Sequence, residues 1–334
     1  MIRTPLLRLL AAAAVPGTAL LSTLPVQAQS SVNLSGTIDL GVYRGFDKRT
    51  QVGPISRSSL TFSGSEDLGG GLSAIFNLTT RFDPDTGRIE DGNKPFWHGE
   101  STVGLKGAFG KIRIGRAMEA VTANDWAFDP WYNFDRVASP AWQFWHWNYA
   151  ADRTANNGTP EYFRLSNGIF YDSPTVAGFS VSLSGSPEKS AAGSGGANTS
   201  TSMQGALKYA QGPVAATVSK GRNGSGDEVL FIGAKGTFGN FALMGAYDRS
   251  EYNALPRSVA LARTLGATYQ WGKVLFQAGY GKLSVDDGTK RSFVGLGSQY
   301  ALSKRTYVYA SYGQNRPENA ANTSAYGLGL NHSF

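Results

Sequence analysis

The chain has 334 residues, of which 42 are glycine, and its charged fraction of 16% lies below the roughly 25% typical of soluble domains. The formal net charge is +7 and cysteine is absent, so disulfide frameworks and thiolate chemistry are excluded. The three scattered histidines predict no histidine-based metal site, and we expect neither a cofactor nor a nucleic-acid partner.

Residues 1–28 have the pattern of a secretory signal peptide. Arg3 and Arg8 supply a positive start, an apolar run follows, and a small-x-small site ends at Ala28, where we expect cleavage. An N-terminal membrane anchor is the alternative, although the run is short for a spanning helix. No later window approaches 18 apolar residues, so an exported chain that lives in a membrane must be a closed β-barrel.

Apolar and polar residues alternate along the remainder of the chain, residues 29–334. The pattern predicts an all-β fold, a 16-stranded antiparallel transmembrane β-barrel with short turns at one rim and long loops at the other. A soluble β-sandwich also alternates, but it does not account for the export signal and the even strand count. The predicted strands are near 32–42, 57–64, 72–82, 103–105, 112–114, 165–171, 179–183, 203–211, 213–221, 228–237, 240–250, 262–271, 273–282, 291–300, 304–314 and 324–334.

The last of these strands ends on an aromatic residue. Tyr326, Leu328, Leu330 and Phe334 share one apolar face, and the residues between them are small or polar. We expect this strand to pair with the strand that begins near Val32 and so to close the barrel. Phe334 would then lie at the membrane interface, where aromatic rings are favoured.

Several motifs along the chain support a more specific interpretation. Residues 56–72 read SRSSLTFSGSEDLGGGL, residues 109–116 read FGKIRIGR, residues 167–174 read NGIFYDSP, and the chain ends HSF. In these motifs and their order the chain resembles the general porins of Gram-negative β-proteobacteria. The resemblance implies a homotrimeric diffusion channel of the outer membrane that lies among lipid and lipopolysaccharide, is inserted by the barrel-assembly machinery and uses Phe334 as part of its assembly signal.

The resemblance further implies that the third external loop, about residues 117–160, folds into the barrel and narrows it. This loop carries Glu119, Asp125, Asp129 and Asp135, and alternation places four arginines on the lumen side of the wall. An acidic loop that faces a basic wall would create a transverse field and a mild preference for anions. Each arginine could instead be a solvated lumen residue without effect. The four wall arginines are Arg57, Arg81, Arg113 and Arg164.

The same loop holds five of the seven tryptophans of the chain. They could form a stacking surface for sugars or aromatic carboxylates along the pore, or they could be the packed core of the loop. A channel that prefers aromatic carboxylates is therefore the alternative to a general diffusion channel. The five are Trp126, Trp131, Trp142, Trp145 and Trp147.

Two other classes of barrel remain as rivals. An outer-membrane enzyme needs a Ser–His or Asp–His constellation, and only His98, His146 and His332 are available, with no partner spacing that singles one out. An adhesin would more often have fewer strands or an added domain. We therefore expect a channel rather than an enzyme.

Overall fold

The computed structural model of the chain describes residues 30–90, 94–149, 163–187, 201–253 and 256–334, so the predicted signal peptide lies outside the described residues. The described residues contain eighteen strands, joined in one antiparallel sheet. Their bounds are β1 Ser31–Arg44, β2 Thr50–Gly53, β3 Ser58–Gly69, β4 Leu72–Asp83, β5 Arg88–Ile89, β6 Glu100–Gly107, β7 Gly110–Met118, β8 Arg164–Asp172, β9 Phe179–Gly185, β10 Met203–Gln211, β11 Val214–Arg222, β12 Glu228–Phe238, β13 Phe241–Tyr252, β14 Ser258–Trp271, β15 Val274–Val285, β16 Lys290–Ala301, β17 Thr306–Pro317 and β18 Thr323–Ser333.

Sixteen of these strands form the barrel wall, and the prediction of a closed 16-stranded antiparallel barrel is confirmed. The other two, β2 and β5, lie in segments that alternation left as loops. They have four residues and two residues, too few to show a period of two. β2 pairs with the end of β1, and β5 pairs with the end of β4.

The barrel closes between its first and last wall strands, as predicted. Gly36 of β1 and Phe334 exchange two backbone hydrogen bonds, of 3.1 and 3.0 Å. Close to this seam the carboxylate of Asp39 is buried, and it accepts hydrogen bonds from the Tyr309 hydroxyl at 2.8 Å and from the Asn331 amide at 3.0 Å. One buried carboxylate therefore links β1, β17 and β18.

The two faces of the wall differ as a membrane barrel requires. On β15, Phe276 and Tyr280 point outward and are exposed, whereas Gln277 and Leu283 point inward and are buried. The outward face is a belt of large apolar side chains, which suits lipid. Among the described residues, no helix is long and apolar enough to cross a membrane.

Residues 119–149 fold into the barrel and form most of its interior core. They contain two short 3₁₀ helices, Thr122–Asn124 and Trp126–Phe128, and the helix α1, Pro140–Phe144. Ser139 caps α1 by accepting a hydrogen bond from the backbone N–H of Trp142 at 3.0 Å. We call residues 119–149 the inner loop. Residues 117 and 118 of the predicted loop belong to β7, and residues 150–160 lie outside the described residues.

The inner loop lies directly on wall positions that have no side chain. A methyl group at Gly295 or Gly313 would overlap the carbonyl oxygens of Ala138 and Val137. At Gly297, an added Cβ would lie 2.7 Å from Nε1 of Trp131, closer than real Cβ contacts allow. These glycines thus let the loop backbone approach the wall. The glycine patch, as we call it, consists of Gly279, Gly281, Gly295, Gly297 and Gly313.

We predict that Gly313→Ala displaces the inner loop, because the new methyl group has no space against the carbonyl of Val137. Overpacking of this kind costs about 1–3 kcal/mol. The variant should show a lower unfolding temperature and a larger, noisier single-channel conductance.

Gly205→Ala on β10 is the matched control, since its added methyl group would meet only the flexible end of Leu183 at 3.3 Å. If both variants conduct like the wild type, the glycine patch does not hold the loop in place.

Candidate functional site

A cavity of about 370 Å³ lies between the inner loop and the wall near β3 and β8. Cationic and aromatic side chains dominate its lining. They include Arg57, Lys94, Arg136 and Arg164, the rings of Trp126, Phe134, Trp142 and Trp145, and one carboxylate, Glu90.

Glu90 is the centre of the charged cluster in this cavity. Its carboxylate lies 3.0 Å from Nη2 of Arg136, 3.4 Å from Nζ of Lys94, 3.7 Å from Nε of Arg57 and 3.9 Å from Nη1 of Arg81. Burial alone would raise the pKa of Glu90, but the His98 ring at 3.6 Å and the surrounding cations outweigh burial and hold this pKa well below its usual range. Glu90 is therefore ionised at any pH that the barrel meets.

Among the described residues, cations outnumber carboxylates in this cluster. Within the described part of the chain, four cationic side chains surround this one carboxylate, which leaves a net charge of three positive. The side chains of Arg57 and Arg136 are 19% and 25% exposed, whereas that of Glu90 is only 4% exposed. A solute in the cavity therefore meets the guanidinium groups before it meets the carboxylate.

The four predicted wall arginines do not all lie at this site. Arg57 and Arg164 line the cavity, and Arg81 contacts Glu90. Arg164 is buried, and its Nε donates a hydrogen bond to the carbonyl of Gly99 at 3.0 Å. Arg113 lies apart from them and pairs with Glu100 at 2.5 Å and with Asp172 at 3.2 Å.

The loop carboxylates require a correction, because they do not face the wall arginines as expected. Asp129 accepts hydrogen bonds from the backbone N–H of Trp131 at 2.9 Å and from the hydroxyl of Ser139 at 2.9 Å. Asp135 accepts backbone hydrogen bonds at 2.8 and 2.7 Å and one from the hydroxyl of Ser311 on the wall. Burial raises the pKa of both carboxyl groups to about 6 in spite of these hydrogen bonds. They organise the loop backbone instead of forming an acidic face.

The other two loop carboxylates attach the inner loop to the wall. Glu119 is buried and contacts the amide of Gln204 on β10 and the hydroxyl of Tyr149. Asp125 lies 2.7 Å from Nε2 of His146, and the other ring nitrogen of His146 lies 2.7 Å from Asp248 on β13.

His146 is therefore a buried cation between two carboxylates. Burial alone would lower its pKa, but the charge of Asp248 and the hydrogen bond to Asp125 outweigh burial and raise the pKa of His146 to about 10. The imidazole is charged at neutral pH; its ion pair with Asp125 lies within the loop, and its ion pair with Asp248 links the loop to the wall.

Some of the five loop tryptophans belong to the packed core of the loop, and others lie where a solute could stack on them. Trp131 and Trp145 are buried: Trp131 packs on the glycine patch, and Trp145 contacts Phe231 with ring centroids 4.8 Å apart. Trp126 and Trp142 line the cavity together with part of the Trp145 ring, and Trp147 is exposed, with the guanidinium of Arg291 at 5.1 Å from its ring centroid.

Arg57 and Trp142 form the best-defined mixed surface of the cavity. The guanidinium of Arg57 lies 4.7 Å from the Trp142 ring centroid and 5.4 Å from that of Phe134. Arg136 approaches the same indole at 5.6 Å. Stacked in this way, the guanidinium groups are held in place, and their edges can still donate hydrogen bonds.

Sequence reasoning missed the residue on which this cluster depends. Glu90 lies between the predicted strands near 72–82 and 103–105, and Arg136 lies in the third external loop. They are 46 residues apart, so no local spacing could pair them.

Two of the three histidines contact carboxylates of the loop, the wall and the charged cluster. His146 is enclosed between two carboxylates, and His98 contacts Glu90 at 3.6 Å. No group of three or more His, Cys, Asp or Glu side chains in the described ranges is arranged to hold a metal ion.

Comparison with known proteins gives a consistent result. The family model described as Gram-negative porin matches residues 10–320. The chain is 28% identical over 354 residues to the major outer membrane protein P.IB of Neisseria meningitidis serogroup B / serotype 15 (strain H44/76), covering 94% of this chain and 97% of that protein.

Two solved structures share the fold. The anion-selective porin from Comamonas acidovorans has a TM-score of 0.79 and 24% identity, covering 92% of this chain and 100% of that one. OmpT of Vibrio cholerae in its trimer form has a TM-score of 0.65 and 14% identity, covering 91% and 99%. The matched proteins are named as porins and outer membrane proteins, not as enzymes.

We predict that His146→Gln loosens the inner loop, because Asp125 and Asp248 would remain buried without the cation between them. Removing one partner of a buried ion pair typically costs about 3–5 kcal/mol. The variant should unfold at a lower temperature and show noisier single-channel currents.

His332→Gln is the control, since this histidine is exposed on the outward face of β18. Quiet, wild-type currents from His146→Gln would contradict a role of this ion pair in holding the loop.

Proposed function

Because the chain belongs to the Gram-negative porin family, it is a channel of the outer membrane, and we propose that it passes small hydrophilic solutes and ions with a mild preference for anions. The observation that carries this preference is the positive cluster around Glu90. Excess charge of one sign at a narrow place in a pore attracts ions of the opposite sign.

The exposure of the charged groups supports this direction of selectivity. Two of the cations that line the cavity, Arg57 and Arg136, are more exposed than Glu90, so an entering anion approaches donors before the carboxylate. The Comamonas acidovorans protein of the same fold is itself named an anion-selective porin, and this supports the proposal by analogy.

The assembly of the channel is part of the same proposal. A signal peptide is removed after Ala28, Phe334 serves the barrel-assembly machinery, and three copies associate in the outer membrane among lipid and lipopolysaccharide. The trimer form of Vibrio cholerae OmpT supports the homotrimer. For Phe334, its place at the barrel seam supports a part in closing the sheet.

We predict that Arg136→Gln lowers the anion-to-cation permeability ratio and that Glu90→Gln raises it. In water, a unit charge about 6 Å from the ion path changes the energy of an ion by about 0.7 kcal/mol, with opposite sign for anions and cations, so the ratio should change roughly tenfold. Reversal potentials in a planar bilayer under a salt gradient measure both changes.

Arg49→Gln is the matched control, because it also removes one positive charge but lies in an exposed external segment, where Arg49 pairs with Asp47. Equal ratios for the wild type, Arg136→Gln and Glu90→Gln would refute the assignment of selectivity to this cluster.

The stacked Arg57 and Trp142 favour a second candidate function, a preference for aromatic carboxylates. Guanidinium groups bind carboxylates, and the indole and phenyl faces of the cavity could contact a ring. The cavity of about 370 Å³ has room for a solute with one ring.

This second function predicts that benzoate at millimolar concentration blocks chloride current through the wild type, that acetate does not, and that Trp142→Leu weakens the block. The outward-facing variant Trp271→Leu should behave like the wild type. Equal effects of benzoate and acetate would leave the general diffusion channel as the function.

A further inference from the structure

An exposed tryptophan follows the buried core of the inner loop. Trp147 lies between two buried aromatic residues of the chain, Trp145 and Tyr149, yet its own side chain is 39% exposed. Its indole therefore points away from the core of the loop. Burial of so large an apolar side chain normally stabilises a fold, so its exposure needs a specific cause.

The backbone on both sides of Trp147 fixes the indole in this exposed position. His146 has a positive φ of 55°, a conformation that residues other than glycine rarely adopt. The N–H of His146 donates a hydrogen bond to Asp248 at 3.0 Å, and the N–H of Asn148 donates one to Ser250 at 3.1 Å. The loop is thus anchored to β13 immediately before and immediately after the exposed ring.

A guanidinium group lies beside this indole. Arg291 is the second residue of β16, near the rim from which the long loops leave, and it shares the lumen-facing parity of Phe293. Its Cζ atom lies 5.1 Å from the Trp147 ring centroid. Flush stacking would bring the two groups to about 3.5–4 Å, so the guanidinium covers only part of the indole face.

Arg291 has no carboxylate and no hydrogen-bond acceptor as a partner in the part of the chain that the structure describes. Two carboxylates of the same rim are engaged elsewhere. Glu318 pairs with Lys290 at 3.2 Å, and Asp286 accepts a hydrogen bond from Ser258 at 3.1 Å. The N–H groups of Arg291 are therefore available to an anionic solute.

We propose that Trp147 and Arg291 form a second solute-binding site, at the external rim of the lumen, for small carboxylates that carry an aromatic ring. The edge of the guanidinium can bind the carboxylate through paired hydrogen bonds, and the uncovered part of the indole can contact the ring. We call these two residues the rim site. The proposal rests on the proposed function of the chain as a solute channel, but not on the cavity around Glu90.

The rim site repeats the chemistry of the cavity with one difference. In the cavity the guanidinium of Arg57 lies 4.7 Å from the Trp142 ring centroid, but it also lies 3.7 Å from the carboxylate of Glu90. At the rim no internal carboxylate of the described residues competes with a solute for Arg291. A free carboxylate can therefore bind there without displacing a partner.

NMR of the folded channel in detergent micelles tests the rim site directly. The indole N–H signal of Trp147 is assigned by its absence in Trp147→Leu. Benzoate should shift this signal, with saturation at millimolar concentration. In Arg291→Gln the apparent Kd should rise about fivefold, the upper range for an exposed ion pair.

Lys290→Gln is the matched control. It removes a positive charge one residue away, but that side chain faces outward and pairs with Glu318, so this variant should bind benzoate like the wild type. Two control solutes separate ring from charge. Benzamide has the ring without the charge and acetate has the charge without the ring, and each should bind at least about fivefold more weakly than benzoate.

Equal affinity of the wild type and Arg291→Gln for benzoate would overturn the proposal. Equal affinity for benzoate and benzamide would overturn the part of the guanidinium, and equal affinity for benzoate and acetate would overturn the part of the ring. The comparisons of solutes need no substitution, so they decide the proposal even if a variant fails to fold.

Measurements of chloride current separate the rim site from the function proposed for the cavity. If benzoate shifts the Trp147 signal but never blocks the current, the rim site stands and the preference of the cavity for aromatic carboxylates fails. If benzoate blocks the current but leaves the Trp147 signal unmoved, the rim site fails and the cavity keeps its proposed function. Trp142→Leu should leave the Trp147 shift unchanged, because it alters only the cavity.

Discussion

The arrangement of the channel interior depends on the contact between the inner loop and the glycine patch. Because Gly295 and Gly313 have no side chain, the carbonyl groups of Ala138 and Val137 lie directly on the wall. Arg136 immediately precedes this contact, and its backbone N–H donates to the carbonyl of Ile55 at 2.9 Å. Its guanidinium is thereby aimed at Glu90. The charge of the cavity is thus set by backbone packing some distance from it.

Carboxylates have two separate tasks in this barrel. Asp129 and Asp135 are buried in the loop and accept hydrogen bonds from backbone N–H groups of the loop. Glu90 is surrounded by cations and decides how much of their charge remains. A buried carboxylate with backbone donors gives the loop a single conformation but adds little field at the cavity, because its charge is compensated locally. Counting acids along the loop therefore overestimates its negative potential.

The wall could be predicted from the sequence and the site could not, for a physical reason. Each wall strand places one face against lipid, so a period of two appears wherever a strand is long enough, and the sixteen strands and the seam at Phe334 follow from it. The inner loop has no such period. Trp131 packs on the glycine patch and Trp142 faces the cavity, and both positions depend on contacts with strands that are distant in sequence. Glu90 and Arg136 meet only because two loops fold into the same lumen.

The net charge of the chain does not predict ion selectivity, because charges on the lipid side of the wall act separately from charges at the cavity. The formal charge of +7 includes Arg263, Lys282 and Arg316, which lie on the lipid side of the wall. Exposed charges are screened beyond about 8 Å at physiological ionic strength, and the barrel wall lies between these cations and the cavity. They therefore contribute little to the field that acts on a permeating ion. A permeating ion lies closer to the cluster around Glu90, so under the proposed function selectivity is derived from the charges of that cluster and not from composition.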